Sequence, residues 1–110
     1  MNETTHNEQT IIGKFKFGFS VEGVLETEYE IAPITNMGQL FAAEVEADPK
    51  KPLQFQAALI AQQLKRIGNF EGPFTLGLMR RLRVEDFNEL REAQRQLEER
   101  EELGNDQTSD

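Results

Sequence analysis

Between Ile12 and Ile31 the chain repeats with a period of two, a pattern that a helix cannot bury and an antiparallel strand pair can. Phe15, Phe17, Phe19 and Val21 alternate with Lys14, Lys16, Gly18 and Ser20. Leu25, Thr27, Tyr29 and Ile31 then alternate with Val24, Glu26, Glu28 and Glu30. Glu22-Gly23 lies between the two runs, where glycine permits a positive φ, so 12–31 reads as a β-hairpin. Lys14 and Lys16 are expected opposite Glu28 and Glu30 on the polar face, each pair contributing about 0.2–1 kcal/mol. Two strands alone are marginal in water. The face carrying Phe15, Phe17 and Phe19 must be covered by helices, by strands of other copies, or by both, which makes these three residues candidates for an oligomer or strand edge.

After Pro33 the spacing changes to that of a helix. Thr35 or Asn36 can cap a segment over about 36–48, and Pro49 and Pro52 forbid its continuation. Met37, Leu40, Phe41 and Val45 form its apolar face, with Glu44 projecting near the centre. Glu44 either pairs with an arginine such as Arg80 or Arg81, or reaches water from a last turn that overhangs the core. A further helix is expected over about 53–67, stopped by Gly68-Asn69, with Leu53, Ala57, Ile60, Leu64 and Ile67 inward. Phe55 and Leu59 fall on its other side, beside Gln62 and Arg66. Either the helix is sandwiched between two layers, one of which can come from another copy, or these four residues form a surface for another protein.

From Phe74 to Leu97 helix signals and apolar spacing agree over the longest run in the chain, as two helices over about 75–82 and 84–103. Thr75 caps the first, and Phe74 can close over Met79 as an apolar staple. Leu78, Met79 and Leu82 face inward, and Phe87, Leu90, Gln94 and Leu97 form one narrow stripe on the second. The expected core is Phe41, Ile60, Leu64, Phe74, Leu78, Leu82, Phe87 and Leu90. The fold class is therefore α+β: a single small domain over 11–103, an N-terminal two-stranded antiparallel hairpin followed by about four helices. The polar ends, 1–10 and 104–110, are expected to be disordered tails.

A chain of 110 residues with 37% apolar content supports one modest core with little stability in reserve, which favours a homo-oligomer. It contains no cysteine, and its one histidine, His6, falls in the expected N-terminal tail, so no triad, thiolate site or histidine cluster can be assembled. The glycines form no phosphate-binding pattern, and Glu85 and Asp86 sit where a helix dipole favours carboxylates. No catalytic residue, metal ligand, cofactor or small-molecule substrate is expected, and the chain does not read as an enzyme. A net charge of −8 argues against a role on nucleic acid, so the cluster Arg80, Arg81 and Arg83 is expected to serve local carboxylates. No apolar run approaches the ~20 residues that span a bilayer, and the polar N-terminus lacks a secretion pattern, so a cytoplasmic protein is expected.

Two motifs carry a family resemblance. The run Ile31-Ala-Pro-Ile-Thr-Asn-Met-Gly-Gln-Leu, with Ala43-Glu44 beyond it, and the later Leu78-Met-Arg-Arg-Leu-x-x-Glu-Asp-Phe-x-x-Leu resemble small tail assembly chaperones of Mu-like and P2-like contractile-tailed phages. Ala32 and Gln39 stand where that pattern has charged residues, and Arg83 where a serine or threonine usually opens the last helix. The resemblance implies a non-enzymatic protein of the host bacterial cytoplasm, absent from the mature virion. Such proteins bind the long helical tape measure protein, keep it soluble and assist assembly of the tail tube protein around it. In many such phages a frameshift also yields an extended form. The composition leaves two other readings: an acidic inhibitor of a host nucleic-acid-binding protein, and a minor structural tail or baseplate subunit.

Overall fold

The computed structural model of the protein describes residues 10–108. Its elements are β1 (Ile11–Val21), β2 (Val24–Ile31), α1 (Met37–Glu46), α2 (Pro52–Gln63), β3 (Leu64–Ile67), α3 (Leu76–Met79) and α4 (Val84–Thr108). The three strands form one antiparallel sheet in the order β1-β2-β3. The fold is α+β. Glu22 and Gly23 take φ of 52° and 83°, and Val21 faces Val24, so the hairpin closes in the tight turn its sequence calls for.

The sheet has three strands where the hairpin alone would give two, because the expected helix over 53–67 ends at Gln63 and Leu64–Ile67 continues as a strand. Leu64 and Ile67 lie three apart, a spacing that mimics a helix stripe. The strand accommodates it with a bulge: Leu64 pairs with Ile31, Arg66 with Glu30 and Ile67 with Tyr29, leaving Lys65 without a place in the register. Both apolar residues thus reach the face that buries Tyr29 and Ile31. Arg66 crosses the polar face instead, its guanidinium on Glu28 at 2.9 Å and Glu30 at 3.1 Å. The expected lysine pairs give way to this arrangement. Lys14 does sit opposite Glu28 in register, but Glu30 faces Ile12, and Lys16 lies where the β1 register is interrupted.

Helix α4 packs on β1, α2 adjoins both α3 and α4, and α1 lies on the outer side of α2. The main core joins Phe15, Phe19, Tyr29, Ile31, Ile60, Leu64, Ile67, Met79, Leu90 and Leu97, with Phe74, Leu78, Leu82 and Phe87 half-buried against it. A second, smaller cluster of Ala43, Ala47 and Ala58 receives Phe55, Leu59 and Leu76. Phe41 departs from the expected core and is 57% exposed. The reason is the choice of face. α1 meets α2 through alanines, which let two helix backbones approach closely, so the large residues on the opposite side of α1 are left in water.

Helix boundaries shift as well. Asn36 caps α1 in a reciprocal box with Gln39, and α1 ends at Glu46 rather than near 48. Thr75 caps α3 through Oγ1, which accepts from the Leu78 amide at 3.2 Å, but α3 closes after one turn at Met79 instead of reaching 82. α4 runs through the expected end near Gly104 to Thr108, a single interior glycine costing only about 1 kcal/mol. The expected N-terminal tail, apart from Thr10, and with it His6, lies outside the described residues, as do 109–110.

Candidate protein-interaction site

The junction of the sheet with the C-terminal helices is built around Asp86, on the first turn of α4 and wholly buried. Between Lys14 and Phe19 the register of β1 breaks, because β1 spends five residues where β2 spends two. The strand amides freed by that break turn to the carboxylate. Lys16 and Phe17 donate to Oδ1 at 2.8 and 3.2 Å, and Gly18 donates to Oδ2 at 3.0 Å. Gly18 has a φ of +95°, and a Cβ there would meet the Glu26 carbonyl at 3.1 Å. Only glycine fits without strain.

The same break takes Phe17 out of the alternation. Phe15 and Phe19 are buried while Phe17 is 39% exposed, with the Arg83 guanidinium 4.2 Å from its ring centroid. Arg81 lies over Phe19 at 5.1 Å and donates to the Ser20 carbonyl at 3.1 Å. Arg81 and Arg83 therefore pin the α3–α4 connection to β1. Of the two, among the described residues only Arg83 also reaches a carboxylate, Glu85, at 3.8 Å.

Behind this junction, Tyr29 lies across Gly13, where a Cβ would come within 2.4 Å of the tyrosine oxygen, and its hydroxyl donates to Glu89 Oε2 at 2.7 Å. Burial first, then the hydrogen bond to Glu89 and its charge, push the Tyr29 hydroxyl well above its usual range. Near the middle of α4 a chain of amides crosses the interior. Gln56 donates to Gln94, Gln94 to Gln63, and Gln63 to the Ala32 carbonyl, at 2.8, 2.7 and 3.1 Å.

Fixing α3 and α4 in this way leaves an open cleft of about 350 Å³ between them and α2. Leu53, Ala57, Leu76, Met79, Leu82, Val84 and Phe87 line it, with Gln54, Arg80, Asn88 and Arg91 completing the wall. Leu53 and Val84 are 60% and 72% exposed. A second apolar feature runs along the outer side of α1, where Met37, Phe41 and Val45 face water at helical spacing. Glu44 is exposed too, reaching water rather than Arg80 or Arg81.

The residues singled out from sequence as a partner surface, Phe55, Leu59, Gln62 and Arg66, are each half-buried. Phe55 and Leu59 are half-buried between α1 and α2, so the sandwiched alternative describes them, and the covering layer is α1 of the same chain. Gln62 is half-buried, with its backbone carbonyl accepting from Gln39 at 3.3 Å, and Arg66 is held by Glu28 and Glu30. Sequence reading passed over the cleft because its walls come from three elements that are separately unremarkable. Val84 alone, an apolar residue opening a charged helix, was a signal.

The domain is thus a small α+β unit with an open apolar cleft between three helices, and no cluster of three possible metal ligands occurs among its described residues. The family described as tail assembly protein gp41 matches residues 46–108, more than half of the chain. The chain belongs to this family of Mu-like phage tail assembly proteins. No curated protein and no solved structure matches it. Among the described residues no helix is long and apolar enough to cross a membrane.

Proposed function

We propose that the protein is a non-enzymatic tail assembly chaperone, which binds the tape measure protein in the host cytoplasm, keeps it soluble while the tail tube protein assembles around it, and is left out of the finished particle. Membership of the tail assembly family carries this reading. The surface supports it: a chaperone for a long helical client needs apolar area that remains open in its own folded state, and the cleft and the outer stripe of α1 both supply it. Every residue lining the cleft lies within the matched segment. A net charge of −8 keeps such a surface from drawing copies together indiscriminately.

Removal of the gene from its phage is the test. Filled heads without tails are expected, and mass spectrometry of wild-type particles should find the tube and tape measure proteins without this chain. Its presence in purified tails at a fixed copy number would identify a structural subunit instead.

A further inference from the structure

We infer that the cleft between α2, α3 and α4 seats an amphipathic helix of the client, one with bulky apolar residues on its inner face and carboxylates along its flanks. The inference rests on the chaperone reading for the identity of the client, and on the cleft itself for the chemistry.

Apolar side chains from three helices make the floor and walls, a shape that accepts residues spaced i, i+3 or i+4, and i+7 along a helix. The charged residues of its lining are Arg80 and Arg91, both cationic, in a chain with 20 acidic residues against 12 basic. Neither guanidinium has a carboxylate partner among the described residues, whereas Arg66, Arg83 and Arg95 each do. An acidic protein that keeps two unpaired arginines beside an open apolar cleft is complementary to an apolar helix edged with aspartate or glutamate. Water leaving the cleft on docking would strengthen each such pair relative to an exposed one. The planar guanidinium also suits a carboxylate better than an ammonium would.

The other occupant with this chemistry is the run Glu98-Glu99-Arg100-Glu101-Glu102 of a second copy, and the test separates the two. Tagged full-length chain is used to capture full-length tape measure protein at low and high salt, and each variant alone is run by sedimentation velocity. Leu53→Asp with Val84→Asp alters only exposed side chains of the cleft. Arg80→Glu with Arg91→Glu reverses its charge and leaves the core untouched. Leu25→Ser, on the exposed side of the hairpin, is the control.

The wild type and the control should capture the client equally. The aspartate pair should reduce capture at least tenfold, and the charge-reversed pair about tenfold at low salt, with the difference shrinking at high salt. Undiminished capture by the charge-reversed pair would overturn the inference while leaving the chaperone reading intact. So would a wild-type oligomer that either pair breaks into monomers, since a second copy would then be the occupant. Failure of the wild type to capture the client at all would sink both readings together.

Discussion

Asp86 shows what one side chain does in this fold. Its two oxygens take three strand amides that have no place in the β ladder, and burial without them would leave polar groups unpaired on both sides. Asp86→Ala should therefore lower stability by about 2–4 kcal/mol in urea titration, with the isosteric Asp86→Asn in between. Gly13→Ala should cost about 1–3 kcal/mol, because the added carbon would force Tyr29 from a fully buried position. Tyr29 also sets an alkaline limit. Its hydroxyl ionises only above its ordinary value of 10.0 in the folded state, so the unfolded chain gives up that proton first. This contribution is complete below pH 10 and is lost as pH rises through that value toward the folded one; unfolding midpoints measured from pH 9 to 11 should fall more steeply for the wild type than for Tyr29→Phe. From sequence, Asp86 was legible only as a residue favoured in a first turn. Its capture of β1 depends on a register break 68 to 70 residues away in the chain, and periodicity says nothing about that distance.

At the scale of elements, the hairpin, its turn and the caps at Asn36 and Thr75 were legible because each is fixed by neighbours in sequence. β3 was not, since Leu64 and Ile67 carry a helix-like spacing that only a bulged strand brings to one face. Its presence makes β2 the central strand, bonded on both edges. Hydrogen exchange should accordingly protect the amides of β2 and that of Gly68, which donates to the Glu28 carbonyl at 2.7 Å; rapid exchange at Gly68 would remove the third strand. α1 was placed correctly but turned the wrong way. Alanine faces are easy to overlook beside Met37, Phe41 and Val45, yet packing density rather than side-chain size decides which side docks. Two double variants measure this. Phe55→Ser with Leu59→Ser should lower the thermal midpoint by opening the α1–α2 contact, at about 1–3 kcal/mol for each half-buried side chain. Phe41→Ser with Val45→Ser should change stability by less than about 0.5 kcal/mol per site.

For the whole molecule, the division of labour follows from the packing. The sheet and the body of α4 hold the core. The register break, Asp86 and the arginines of the α3–α4 connection fix the helices against that core, and the surface left between α2, α3 and α4 is apolar and open. Such a surface is a liability in a protein that works alone and an asset in one that shields the apolar faces of another chain. The family was legible in the sequence, and of the two motifs that carried the resemblance the one over Leu78–Leu90 lies within the matched segment. The cleft was not, because it exists only once three separated segments have been brought together. The proposed role of this surface is to keep the tape measure protein in solution, and co-expression tests it. With the wild-type chain, most of the tape measure protein should appear in the soluble fraction as a complex that co-elutes in size exclusion, whereas without it the protein should pellet. A tape measure protein that is equally soluble in both cases, or that pellets in both, would rule that role out.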